Sequence, residues 1–264
     1  MLRIVIMFSI LSLFPQNSFA KDLLLSGSST LFPVAKKAAK AFEKKTGKKV
    51  AVSGGGSSNG VKNALAGKAL GMASRKLKSK EESSGAVAHT LGLDGIVIVV
   101  HKDNPITGLT TAQIKDIYEG KVKDWKDVGS SKPGAIKAFG PDSSHGTNGA
   151  FLSMTKAAED KLVYTGRKNV KKIFGDLASN KDAIAFSSYG MYSVKDRSKA
   201  MKLVEVDGKA PSLASIKDGS YPLVRPLNLV TKGEPAGIQK TFIEYILSAE
   251  GQKFVQEENY VPIN

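Results

Sequence analysis

Short apolar runs alternate with small polar loops along the first hundred residues. Leu23-Leu24-Leu25 reads as a buried strand, broken by Ser26-Gly27-Ser28-Ser29-Thr30. Behind that loop, Val34, Ala38 and Phe42 fall at i, i+4 and i+8, with Lys36, Lys37, Lys40 and Lys44 at other positions, which predicts an amphipathic helix ending at Gly47. Val50-Ala51-Val52 predicts a second strand. The loop from Gly54 to Gly60 then leads into a helix from Val61 towards Leu65. Strand, small polar loop and helix occur twice in succession, the βαβ pattern of a parallel sheet whose loops at the carboxyl ends of strands form ligand sites.

Further along, Gly95-Ile96-Val97-Ile98-Val99-Val100 is the strongest buried strand, followed by His101 to Pro105. The segment Thr111 to Tyr118 predicts a helix with a threonine near its cap, ending by Gly120. From 130 to 222 the chain is richer in Ser, Gly and Lys, with short apolar pieces such as Ile184-Ala185-Phe186. Residues 223–231 are again extended, and an amphipathic helix holding Phe242, Ile243, Ile246 and Leu247 closes the pattern. There is no internal repeat. The extended stretches 97–105 and 223–231 are the expected crossings between two interleaved lobes.

The first twenty residues, MLRIVIMFSILSLFPQNSFA, open on Arg3, run through an apolar stretch and end in Ser18-Phe19-Ala20, the pattern of a cleaved secretory signal. An apolar run of about a dozen residues is too short to span a bilayer. The chain has no cysteine, which excludes disulfides, thiolate metal sites, cysteine nucleophiles and a lipid-anchored cysteine. A free periplasmic protein is therefore expected. Net charge is +15, but 34 of the 39 basic residues are Lys, scattered along the chain, and aromatic residues make up only 7%. Dispersed Lys makes a solvated basic surface, whereas nucleic-acid binders cluster Arg with stacking aromatics, so no nucleic-acid partner is expected. His89 and His101 lack the carboxylate spacing of a metal site, and neither a metal nor a cofactor is expected.

Three loops carry the candidate chemistry: Ser26 to Thr30, Gly54 to Gly60, and Pro141 to Gly149. Each is small, rich in hydroxyls and placed before a predicted helix. The first N–H groups of a helix lack intrahelical partners and its dipole favours negative charge, so such loops suit a tetrahedral oxyanion. Ordinary capping and turn chemistry explains the same residues about as well. Dinucleotide and P-loop motifs fail: Asn59 stands where the last glycine is needed, and no Gly-Lys-Ser/Thr follows. There is no Gly-x-Ser-x-Gly elbow, and adjacent Ser144 and His145 do not make a triad. Arg75, scarce among the lysines, follows the small apolar stretch Gly71-Met72-Ala73-Ser74 and offers bidentate donation to an anion. A salt bridge to Glu81 or Glu82 is the equal alternative.

Taken jointly, Gly27-Ser28-Ser29-Thr30 with Phe32-Pro33, Lys45-Thr46-Gly47, Gly56 to Lys62, Gly71 to Arg75, Asp94-Gly95-Ile96-Val97, Ile117 to Lys121 with Trp125, and His145-Gly146-Thr147 form a recognisable set. On these residues the chain resembles the periplasmic phosphate-binding proteins of Pst-type ABC transporters. The resemblance implies an α/β fold of the two-lobed periplasmic binding protein type II class, each lobe a mainly parallel sheet flanked by helices, joined by two extended crossings. It implies lobe I over 21–100 and 226–264 and lobe II over 101–225. It also implies a monomer, without catalysis, that captures inorganic phosphate and delivers it to a membrane permease. Carried over by position, Ser29, Thr30, the backbone of Leu31, Ser57, Arg75, Ser144, His145, Gly146 and Thr147 would form the site.

Two departures bear on selectivity. Arg75 stands where many members carry Asp, and Pro141 and His145 stand where Arg and Ser are usual. A carboxylate that accepts the proton of phosphate would repel fully ionised sulfate, so its loss at position 75 leaves sulfate, arsenate and molybdate as alternative ligands. An exported phosphoesterase using Ser144 or His145, and a basic adhesion or nucleic-acid-binding surface protein, are the rivals from other classes.

Overall fold

The computed structural model describes residues 22–194 and 199–263, so the expected export signal lies outside the described residues. The chain opens with two βα units: β1 (Leu23–Gly27), α1 (Phe32–Thr46), β2 (Val50–Gly55), α2 (Ser57–Leu65) and β3 (Leu70–Ala73). β1 lies between β2 and β3 and pairs in parallel with both. α1 buries Val34, Ala35, Ala38, Ala39 and Phe42, the predicted stripe widened by the alanines. It ends in a left-handed Gly47 at φ 74°, a conformation that glycine adopts without Cβ strain.

After the short helix α3 (Ser79–Ser83), the 16-residue strand β4 (Ala86–His101) runs through both halves of the molecule. Next come β5 (Gly108–Leu109), α4 (Thr111–Tyr118), β6 (Lys137–Pro141), α5 (Gly146–Thr155), β7 (Thr165–Arg167), α6 (Val170–Ala178) and β8 (Ala183–Ser188). The chain then forms α7 (Tyr189–Tyr192), β9 (Met201–Val206), α8 (Leu213–Lys217) and β10 (Val224–Lys232). It closes with α9 (Gly237–Leu247), α10 (Ala249–Glu257) and β11 (Val261–Pro262). Strand order is β2-β1-β3-β10-β4-β8-β6-β7. The parallel ladders are β2-β1-β3 and β8-β6-β7, and the crossing strands β4 and β10 add antiparallel pairs between them.

β4 changes partners partway along. Ala86 to Gly95 pair with β10, whereas Ile96 to Val100 pair with β8. The chain returns at Val224, opposite Gly95. The change of partner thus falls between Gly95 and Ile96, next to the expected extended stretch 97–105, and β10 starts within the expected stretch 223–231. The reason is burial. Ile96, Ile98 and Val100 enter a core with Tyr118, Trp125, Phe151 and Phe186, while Val97 and Val99 enter another with Ile173 and Leu177. Alternate residues of a strand face opposite sides, so an unbroken apolar run belongs inside a sheet covered on both faces. The first half has its own core, where Phe42 packs on Phe242 and Tyr245 with ring centroids 5.2 and 5.4 Å apart.

Two βα loops are pulled close by glycine contacts. A Cβ on Gly60, in α2, would meet the Met72 carbonyl oxygen at 2.5 Å, the Ser26 carbonyl oxygen at 2.8 Å and Gly27 Cα at 3.0 Å. The start of α2 therefore sits directly on the ends of β1 and β3. Gly60→Ala must push backbone apart and is expected to destabilise by about 1–3 kcal/mol. Gly175→Ala, in α6 where a Cβ meets nothing within 4 Å, should instead stabilise by about 0.5–1 kcal/mol. Denaturant midpoints of the two variants measure the contrast, and equal midpoints would contradict it.

Candidate functional site

Helices α1, α2 and α5 begin at the loops singled out in the sequence, and none has a side-chain cap. Their N-cap residues are Leu31, Gly56 and His145. By contrast, Thr110, Asn169, Ser212 and Ser248 accept from first-turn N–H groups of α4, α6, α8 and α10. α9 and the four-residue α7 also lack a side-chain cap, but α9 starts at exposed Ala236 and Gly237, where its N–H groups are open to solvent. The cleft-side helices therefore leave their positive ends for something other than a capping side chain.

At the centre stands Arg225, fully buried. It is the register partner of Asp94 across β10 and β4, at the point where both strands pass between the halves. Arg225 Nε and Nη2 donate to Asp94 Oδ2 at 3.0 and 2.7 Å. Nη1 donates to the Ser74 carbonyl at 3.0 Å and to Thr147 Oγ1 at 2.9 Å, and Nη2 reaches Thr30 Oγ1 at 3.3 Å. One guanidinium thus joins the loop before α1 to the first turn of α5. Ser188 Oγ also donates to Asp94 Oδ2, at 2.7 Å, while Asp94 Oδ1 is buried without a partner among the described residues.

Beside this pair lies a cavity of ≈ 290 Å³ whose wall includes Ser29, Thr30, His145, Thr147, Ser187 and Ser188. Ser29, Thr30, His145 and Thr147 are therefore brought together in the wall of one cavity. Leu31 is the buried N-cap of α1, and its N–H donates to Ser28 Oγ at 3.3 Å. Ser57 and Gly146 meet at the floor of the cleft: a Cβ on Gly146 would strike Ser57 Oγ, and Ser57 Oγ accepts from Ser74 N at 3.1 Å. Ser144 stands at the edge, exposed, where its hydroxyl donates to Asp142 Oδ1 at 2.5 Å. His145 Nδ1 lies 3.1 Å from the same oxygen. Partial burial works against ionisation of Asp142, yet the hydrogen bonds from Ser144 and His145 hold its carboxyl below the ordinary value.

Arg75 has a different setting. Its Nη1 and Nη2 donate to the two oxygens of Glu81 at 2.9 and 2.7 Å, and Nη1 also donates to the Lys76 carbonyl. Its side chain lines a second cavity, of ≈ 630 Å³, on another side of Arg225. Burial opposes ionisation of Glu81, but the Arg75 bonds keep its carboxyl below the ordinary range. Sequence reasoning passed over Arg225 and Asp94 as site residues. The available signal was a cation inside the apolar run Leu-Val-Arg-Pro-Leu, which needs a buried partner. His89 Nε2 lies 2.8 Å from Thr231 Oγ1, and His101 Nδ1 accepts from Asp103 N, so both histidines serve local structure.

Comparison with known proteins follows the same lines. The profile of a family described as the PBP superfamily domain matches residues 15–250. A phosphate-binding protein PstS of Staphylococcus epidermidis is 35% identical over 89% of this chain and 77% of its own length. The PstS of Bacillus subtilis is 29% identical over 92% of this chain and 81% of its own. A Clostridium perfringens structure, described as a phosphate ABC transporter substrate-binding protein with bound phosphate, superposes with TM-score 0.81 at 32% identity, covering 92% of this chain and 99% of that one. An ABC-type phosphate transport receptor from Vibrio cholerae gives TM-score 0.80 at 27% identity, covering 90% and 99%. The architecture is that of a two-lobed periplasmic binding protein of type II, and the chain belongs to the PBP superfamily and, within it, to the family of the phosphate-binding proteins PstS.

Proposed function

We propose that this protein is an exported carrier that encloses one inorganic phosphate ion between its lobes and hands it to the permease of an ABC transporter. The observation that carries this reading is Arg225, buried between Asp94 and hydroxyls from both sides of a cleft into which uncapped helices open. We take residues 22–95 with 224–263 as one lobe and 96–223 as the other. In this reading Ser29, Thr30, His145, Gly146 and Thr147 donate N–H and hydroxyl groups to the anion, with Leu31 and Ser57 framing the walls and Arg225 behind them. Arg75 is left to Glu81. The donors are mostly neutral dipoles, which stabilise a dehydrated anion in a water-poor site without leaving an unpaired cation when the site is empty.

Preference for phosphate over sulfate then rests on an acceptor. Asp94 Oδ1 is a buried carboxylate oxygen with no partner among the described residues, and its sister oxygen holds Ser188, which lines the cavity. A protonated phosphate supplies the missing donor, and sulfate at neutral pH does not. The carboxylate expected at position 75 thus has a counterpart at Asp94. No catalytic step is part of this reading: the Ser144 hydroxyl gives its hydrogen to Asp142 and stands at the rim. The protein works as a monomer. Among the described residues no helix is long and apolar enough to cross a membrane, and residues 1–20 act as the export signal.

Titration calorimetry of ligand-stripped protein tests the core of this reading. Orthophosphate should bind at one site well below millimolar Kd. Arg225→Lys keeps the charge but loses the fork, and should weaken binding by about 1.5–3 kcal/mol, roughly 10- to 150-fold. Removing Arg75 and Glu81 together should leave affinity within about 0.5 kcal/mol. A large loss there would move the binding cation back to Arg75.

Selectivity is tested by Asp94→Asn. The amide can donate to a fully ionised oxygen, so the ratio of sulfate to phosphate affinity should rise at least about tenfold, a change of ~1.4 kcal/mol. Because the ratio is taken within one variant, it does not depend on how much of that variant is folded. An unchanged ratio would remove Asp94 from ligand selection.

A further inference from the structure

The cavity beside Arg225 is larger than its proposed occupant. At about 30 Å³ for each water-sized group, ≈ 290 Å³ holds roughly ten such groups, whereas orthophosphate has about five heavy atoms and diphosphate about nine. Beyond Thr30 and Thr147 the wall continues along Lys168, Asn169, Val170 and Lys171, which lead into α6. Lys168 and Lys171 are exposed and form no ion pair among the described residues. The one side-chain acceptor of this stretch, Asn169 Oδ1, takes the Lys171 N–H at 3.0 Å. Ser187, in the wall of the same cavity, is fully buried and its Oγ has no hydrogen-bond partner among the described residues.

The far wall therefore offers two ammonium groups without an ion-pair partner and an idle hydroxyl, all able to donate, while the start of α6 is already capped by Asn169. A substituent rich in hydroxyls, such as a sugar or glycerol, would need acceptors as well as donors. A second anionic group on a short tether needs donors alone. We infer that the cleft also accepts diphosphate, one phosphoryl group in the cradle formed by Thr30, His145 and Thr147 and the other between Lys168, Lys171 and Ser187. This rests on the reading of that cradle as a phosphate site.

The test is calorimetric competition between sodium orthophosphate and sodium pyrophosphate on the full mature chain, wild type and Lys168→Gln/Lys171→Gln. Pyrophosphate is expected to compete at a single site, and the double variant should lose about tenfold in pyrophosphate affinity while orthophosphate changes less than about threefold. The substituted residues are exposed, so the variant should fold as the wild type does, which its thermal midpoint checks. If orthophosphate binds but pyrophosphate does not compete, or the variant weakens both ions equally, the inference is overturned and the orthophosphate reading stands. If orthophosphate itself fails to bind, the reading beneath the inference falls and the inference with it.

Discussion

The ion pair between Asp94 and Arg225 is the constraint on which the arrangement of this molecule turns. Both residues lie where the two crossing strands pass between the halves, and they face each other in the strand register. Burying either charge alone costs several kcal/mol, and removing one partner of such a pair costs about 3–5 kcal/mol because the other is left uncompensated. The pair is held by more than Coulomb attraction: Ser188 supports the carboxylate, and the Ser74 carbonyl, Thr30 and Thr147 occupy the guanidinium. Thr147 lies in the first turn of α5, and Thr30 in the loop between β1 and α1. The group that ties β4 to β10 is thus also the group on which the two walls of the cleft converge, so holding the walls further apart would break hydrogen bonds to a buried cation.

That arrangement explains how a chain with net charge +15 can keep its centre close to neutral. Its lysines lie mostly in exposed or half-exposed positions, where screening limits each one to a weak, diffuse attraction for anions. Inside, Arg225 is balanced by Asp94, and the remaining donors are N–H and hydroxyl dipoles. An unbalanced buried cation would bind an anion tightly but would be costly to leave empty. A carrier must release what it captures. Balanced charge with oriented dipoles meets both demands, because its empty state is stable and its filled state gains from dipoles already in place.

What could be read in the sequence divides along the same physical lines. The βα units at the start were legible because α1 shows its period in Val34, Ala38 and Phe42 and its stop in Gly47. The threonine near the start of α4 was legible too: Thr110 and Gln113 form a reciprocal capping box. Parts of the region 130–222 were opaque because β7 has three residues and α7 and α8 only four and five, too brief to display a period, while α5 buries the polar Thr147 and Asn148 beside Phe151. α10 escaped because it buries Gly251 and Gln252 along with Val255, and a buried glutamine breaks the apolar stripe. The site followed the same rule. Arg75 and Glu81 are 6 residues apart and visible as a pair, whereas Asp94 and Arg225 are 131 apart and meet only through strand pairing.

The glycines of the binding loops also change meaning once the two walls are seen together. Gly56 has φ +84°, and a Cβ there would run into the Ser144 carbonyl of the opposite half. A Cβ on Gly146 would strike Ser57 Oγ and would lie 2.8 Å from Ser74 Oγ. Each wall therefore presents a bare backbone position where the other wall presses on it. Small residues in anion-binding loops are usually credited with letting backbone approach the ligand. Here they also let backbone approach backbone, so that the start of α2 and the start of α5 come within contact while Arg225 bridges between Thr30 and Thr147. A side chain at either glycine would hold the walls apart even with every donor still in place. The Thr147–Arg225 contact would then be lost, and with it the bond by which one guanidinium reaches both walls.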